Sequence, residues 1–142
     1  MIGAPGNVAP LSEAFASGGM VWSAQDGKQT LDLTGLSNTP TGVSQAVPTT
    51  PGTTYNLSFW IGNVVNPGGI YGTKTSVHVL VDGVQIDAVV NSNGAGARSP
   101  AYQEFTDSFI ATSSSTTIGF VNADPPTDNS SIIDDVTLVA AP

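Results

Sequence analysis

Between residues 54 and 63 the chain reads TYNLSFWIGN, and the bulky apolar residues Tyr55, Leu57, Phe59 and Ile61 recur at every second position. That is the period of a pleated strand with one buried face, which leaves Asn56, Ser58, Trp60 and Gly62 pointing the other way. The stretch before it, Gly42 to Val47, also alternates and sets Val43, Gln45 and Val47 on one face. A buried Gln45 amide would need a hydrogen-bond partner there. Pro51-Gly52 stands between the two stretches. Proline presets φ for the second position of a turn and glycine takes the positive φ that a type II turn requires next, so two antiparallel strands joined at this corner are predicted.

The same pattern continues along the chain. Asp82-Gly83 separates two alternating runs, the strongest short-range hairpin signal. With Val81 opposite Val84, the valines Val77, Val79 and Val81 share a face with Val84, Ile86 and Ala88, while His78 falls opposite Asp87 and Leu80 opposite Gln85. In Tyr102 to Ala111, Phe105, Asp107, Phe109 and Ala111 are in phase; further on, Ile118 and Phe120 face inward. The closing run IIDDVTLV sets Asp134 on one face with Ile132, Val136 and Leu138. Met20 to Ser23 and Thr30 to Leu33 are shorter strand candidates, with Gln25 to Lys28 a turn. Residues 1–19, rich in Gly, Ala, Pro and Ser, are expected to be a weakly ordered or atypical opening segment, with a strand candidate around Val8 to Phe15. Gly-rich or Pro-rich loops are expected at 34–41, 64–74, 91–101 and 124–131. About eight to ten short strands divided by turns predict an all-β fold, an antiparallel β-sandwich or jelly roll.

Composition agrees with that pattern. Only 10% of the 142 residues are charged, whereas Gly, Pro, Ser and Thr abound, which disfavours helices. With 39% hydrophobic residues there is enough apolar surface for a core, and the length suits one domain, residues 1–142. Three basic residues, Lys28, Lys74 and Arg98, against eleven acids give a net charge of -8. Such a surface repels phosphate backbones and anionic lipid, so neither nucleic acid nor membrane is an expected partner. With no cysteine there is no disulfide framework and no thiolate site.

Trp60 is the first candidate for function, because a large indole stands on the face that the alternation leaves polar. Tyr71 lies in a Gly-rich loop, and loops of that kind line binding sites. His78, Gln85 and Asp87 occupy the polar side of the predicted hairpin. Together these five could supply an aromatic face for a sugar ring and polar groups for its hydroxyls. Each also has a plainer role: Trp60 covering an apolar layer, Tyr71 anchoring its loop, His78 and Asp87 forming a cross-strand ion pair. Catalysis is not expected. Only Glu13 and Glu104 are glutamates, and the aspartates sit on turns and strand ends without a pairing suited to glycoside hydrolysis.

In order along the chain, Asp26-Gly27, LDLTG, GVSQAV, TPGTTYNLSFWIGN, FIATSSSTTIGF and IIDDVTLV resemble the galactose-binding-like jelly-roll domains. They are similar in particular to carbohydrate-binding modules whose last strand carries DDV, and to bacterial surface and plant cell-wall domains of that kinship. The resemblance runs from Trp22 to Val139 and implies a secreted or cell-surface module without catalytic activity that binds a polysaccharide or other glycan. In such modules an acid in the opening strand and the closing DDV commonly hold a structural calcium, which implies Asp134 and Glu13 as ligands here. This chain departs from the pattern at its start, where NVAPLSEAF stands for the usual opening strand and Glu13 precedes Phe15 instead of following it.

A second function is consistent with the same features: a structural or adhesive subunit of an extracellular assembly. Were the first strand missing, an open sheet edge would let copies join into an oligomer or filament by strand addition. In either case Tyr55, Leu57, Phe59, Phe109, Ile118, Phe120, Val136 and Leu138 are the predicted core. Phe59→Ala is expected to lower the unfolding free energy by about 3 to 5 kcal/mol, measured by denaturant titration. Unchanged stability would place Phe59 outside the core.

Overall fold

Eleven strands make up the described part of the chain, residues 8–34, 41–66, 71–125 and 131–142 of a computed structural model. They are β1 (Ala9–Ser12), β2 (Ala16–Ser17), β3 (Met20–Val21), β4 (Gln29–Asp32), β5 (Gly42–Pro48), β6 (Thr54–Asn63), β7 (Thr75–Val81), β8 (Val84–Asn91), β9 (Ala101–Ile110), β10 (Ser115–Asn122) and β11 (Ile132–Ala140). Parts of the expected loops, namely 35–40, 67–70 and 126–130, and the first seven residues lie outside the described residues. A five-stranded sheet in the order β1-β4-β11-β6-β9 faces a four-stranded sheet in the order β5-β10-β7-β8, and β2 and β3 form a small ribbon of their own. All pairings are antiparallel. This is the expected all-β sandwich.

The core lies between the sheets. Leu57, Phe59 and Ile61 of β6 are fully buried there against Val77, Val79, Ile118, Phe120 and Ile133. Phe59 stacks on Phe105 at 6.0 Å and tilts against Phe120 at 5.0 Å, the offset and edge contacts that aromatic quadrupoles favour. Tyr55 and Phe109, half-buried, stack at 5.9 Å at the end of the same row.

Three expectations are corrected. First, β5 and β6 do not pair. Gly52 has φ +81 and Thr53 N donates to Thr50 O at 3.1 Å, so the type II turn at Pro51-Gly52 is present, but it carries the chain from one sheet to the other. The twist of a type II turn splays its flanking strands, whereas two-residue hairpins need the mirror-image turns. Asp82-Gly83 is such a turn, both residues having positive φ, and it does join β7 to β8.

Second, a bulge in β8 breaks the predicted register. Val81 pairs with Val84 and Leu80 with Gln85, but beyond Ile86 the pairing shifts, so Val79 meets Asp87 and His78 meets Ala88. One inserted residue moves every later side chain to the other face. His78 and Asp87 therefore point to opposite sides of the sheet.

Third, Val136 is 46% exposed, not core. Asp134 pairs with Trp60 and Thr137 with Ser58, leaving Asp135 and Val136 together opposite Phe59. Asp135 takes φ +44, the left-handed conformation that aspartate tolerates. The bulge turns Leu138 inward opposite Leu57 and leaves Asp134 on the outer face with Trp60. Here too β4 and β11 part, because they pair only at Ile132 and Ile133. An apolar cleft of about 700 Å³ opens between Leu31, Val43, Val47, Phe120 and Leu138. Gln45 faces this cleft and is exposed, so water can satisfy its amide.

At one end of the sandwich, strands finish in buried asparagines. Asn63 Oδ1 accepts Gly94 N at 2.8 Å while its Nδ2 donates to Thr75 Oγ1, and Asn91 Nδ2 donates to the carbonyls of Ile61 and Ala101 at 2.7 Å each. Asn122 Oδ1 accepts Asp124 N at 3.0 Å. A buried amide with partners on both ends replaces ladder hydrogen bonds that separating strands can no longer make.

The β8 bulge also creates a pair of acids. Asp87 turns toward the space between the sheets, where Asp107 of β9 points from the other side. Burial first, and then the charge of Asp87, hold the Asp107 carboxyl above the usual carboxylate range, and one of its oxygens is buried without a partner. The neighbouring inward groups, Leu57 of β6 and Val79 of β7, bring no positive charge. Because the folded chain holds this proton more tightly than the unfolded chain, stability is gained as pH falls through the raised pKa and lost as pH rises through it. Asp107→Asn is expected to melt at a higher temperature than the parent at neutral pH and to gain less on mild acidification. Parallel pH profiles for the two proteins would show that the carboxyls do not face each other.

Candidate functional site

The outer face of the five-stranded sheet is divided into a covered half and an open half. Over the covered half runs the segment that carries β2 and β3, with Met20 and Trp22 buried against Val64 and Ile132 and with Leu11, Tyr71 and Tyr102 packed around them. Trp22 meets Tyr71 edge-on at 5.2 Å. Its indole N–H is buried without a partner. Tyr102 lies over Gly62, its partner across the sheet, where a Cβ would come within 2.8 Å of the ring. The Tyr102 hydroxyl donates to Ser23 O at 2.9 Å. Burial, opposed by a hydrogen bond with Thr30 and aided by the charge of Asp134, pushes that phenol up to about 12, so it remains a donor at physiological pH.

Asp134 marks the boundary. Its Oδ2 accepts Gln25 N at 2.8 Å and Asp26 N at 3.3 Å, and its Oδ1 accepts Asp135 N at 2.9 Å. Together these bonds tie down the end of the covering segment.

Beyond this boundary the face is open and polar. Along β6 it presents Trp60, Ser58, Asn56 and Thr54, all of which alternate with the core residues. On the β9 side Glu104 lies opposite Trp60, Thr106 opposite Ser58 and Ser108 opposite Asn56. On the β11 side Asp134 lies opposite Trp60 and Thr137 opposite Ser58, with the two hydroxyls 2.7 Å apart. Trp60 is half-buried, belongs to neither apolar cluster and stacks on no other ring among the described residues. From Trp60 to Thr54 the row is about 20 Å long. An indole at one end of a hydroxyl- and amide-bearing strip can take the C–H face of a ring and hydrogen-bond what extends from it.

The other residues singled out in the sequence are elsewhere. Tyr71 is spent on Trp22 and donates to Ser17 Oγ at 2.9 Å, anchoring its loop. His78 and Gln85 stand on the outer face of the four-stranded sheet, away from Trp60, and Asp87 points between the sheets. Ser58 does share the Trp60 face. Glu104, Thr106 and Thr137 were missed by the sequence reading. The signal for the first two was present: in β9 they alternate with Phe105 and Asp107, hence stand opposite the polar side of β6. Thr137 was hidden by the β11 bulge.

At Asp134, which the resemblance implies as a calcium ligand, both carboxylate oxygens already accept backbone N–H groups. Glu13 instead borders a shallow groove with Asp26 and Lys28, and among the described residues no three carboxylate or imidazole groups gather as a metal site.

Solved structures share this fold. The chain is similar to a family 35 carbohydrate-binding module from Clostridium thermocellum, with a TM-score of 0.65 and 14% identity over 95% of this chain and 89% of that one. It is similar to the CBM22-1 xylan-binding domain of Paenibacillus barcinonensis Xyn10C, with a TM-score of 0.60 and 14% identity over 98% and 84%. It also matches the Podospora anserina GH26-CBM35 β-(1,4)-mannanase at a TM-score of 0.60 and 15% identity, covering 96% of this chain but 28% of that longer one. At these identities the likeness is one of fold, the β-sandwich jelly roll. No protein-family model matches the chain, nor does any curated protein sequence.

Asp134→Ala removes a charged acceptor from two backbone N–H groups of the covering segment. It is expected to lower the unfolding free energy by about 2 kcal/mol in denaturant titrations. A change close to zero would mean that water replaces the carboxylate without loss.

Proposed function

We propose that this chain is a non-catalytic carbohydrate-binding module that holds a polysaccharide along the open outer face, with Trp60 as its aromatic platform. The observation that carries this reading is the position of the indole: half-buried beside a strip of hydroxyls and amides, outside both apolar clusters. The shared fold with modules whose names record carbohydrate or xylan binding supports it. A neutral strip of Ser, Thr and Asn suits a ligand rich in hydroxyls better than an apolar partner. No helix among the described residues is long and apolar enough to cross a membrane. We infer an extracellular setting, where polysaccharide is met.

A second reading, assembly with further copies, is favoured by one observation. The opening strand β1 is present, so the edge expected from its loss is filled, but β11 has no partner on its β4 side beyond Ile133 among the described residues. An unpaired edge beside an apolar cleft is a template for strand addition.

Trp60→Ala separates the two readings. The melting temperature should stay within a few degrees of the parent, since the indole is outside the core. Retention on insoluble polysaccharide should be lost, while the mass by light scattering stays unchanged. A variant that unfolds would place Trp60 in the core, and one that binds as before would remove it from the site.

A further inference from the structure

We propose that the Trp60 face is selective by charge: it takes polysaccharides bearing protonated amino groups and rejects those bearing carboxylates. The inference rests on the carbohydrate-binding reading and names the class of glycan. Its ground is the pair of acids that the register sets on either side of the indole. Glu104 lies directly opposite Trp60 on β9 and Asp134 directly opposite on β11. Residues facing each other on adjacent antiparallel strands have Cβ atoms about 5 Å apart. The Cβ atoms of the two acids thus stand about 10 Å apart, on the strands either side of the one that carries Trp60.

No base stands in register with Trp60 on β6, β9 or β11: Lys28 lies in the turn before β4, Lys74 just before β7 and Arg98 in the loop between β8 and β9. Glu104 is exposed. Asp134 accepts N–H groups from Gln25 and Asp26, and those bonds fix it in position beside Trp60. The net charge of -8 adds a long-range field of the same sign.

An ammonium group at the edge of a sugar ring stacked on Trp60 would point toward one of the two flanking acids. Stacking and ion pairing then act on one sugar. A uronic acid in the same place would bring a third negative charge to the two already present. A neutral sugar would keep the stacking and hydroxyl contacts alone. The order expected is therefore amino sugar, then neutral sugar, then uronate.

The test compares β-1,4-linked oligosaccharides of equal length by titration calorimetry: deacetylated glucosamine oligomers, their N-acetylated counterparts, glucose oligomers and galacturonate oligomers. The pH is mildly acidic, where amines are protonated and carboxylates ionised. The glucosamine oligomer should bind most tightly, with an advantage that shrinks as salt is added. Glu104→Gln should reduce its affinity about two- to fivefold, the range of an exposed ion pair, and reduce that of the glucose oligomer less. Trp60→Ala should abolish binding of all. If neutral oligomers bind as well as the glucosamine oligomer and Trp60→Ala abolishes both, the carbohydrate face stands and charge selection is overturned. Glucosamine binding that survives Trp60→Ala reflects attraction to the whole acidic surface and likewise overturns it. If no oligomer binds, both readings fall.

Discussion

The carboxylate of Asp134 accepts N–H groups from Gln25 and Asp26, the former 109 residues away along the chain. That contact joins the last strand to the segment that covers half of the outer face, and it fixes where the cover ends. On one side of it Trp22, Met20 and Ile132 form a second apolar cluster; on the other the sheet meets solvent with Trp60 at its border. A carboxylate among backbone donors is a strong arrangement, since each N–H dipole favours the ionised form. It also needs Asp134 on the outer face, and the left-handed Asp135 directly after it lets Leu138 still reach the core. The bulge serves both sides of the sheet.

Strand existence was legible in the sequence; partners and faces were legible only where no residue was inserted. Tyr55 to Ile61, Ile118 and Phe120 keep strict alternation and face as their period dictates, because one side of each strand must be removed from water. Ile86 in β8 and the Asp135-Val136 pair in β11 are invisible to a period of two, since a bulge adds a residue without altering composition. The first separated His78 from Asp87, and the second turned Val136 out of the predicted core. The partner of β5 was misread because Pro51-Gly52 declares a turn but not the sheet to which the chain returns. The outward position of Trp60 was legible by phase alone. Its neighbours were not, as Glu104 and Asp134 come from strands distant in sequence.

The molecule treats its aromatic residues unequally. Phe59, Phe105 and Phe120 bind the sheets together, and Trp22 and Tyr71 seal the cover. Trp22 is buried even though its N–H finds no partner, so packing outweighs a lost hydrogen bond there. Trp60 gains none of these contacts. A large side chain that stays partly exposed on an otherwise polar face, outside both clusters, is one whose role is sought in recognition.

The asparagines that close β6, β8 and β10 divide the labour between frame and loops. Asn63 and Asn91 hold backbone groups at the start and end of the 92–100 loop, and Asn122 holds that of Asp124. The strands are thereby finished by side chains of the frame itself, before the loops begin. Loop sequence at that pole is then free to drift without unravelling the sheets, so this end of the sandwich can acquire new surface chemistry while the face around Trp60 keeps its own.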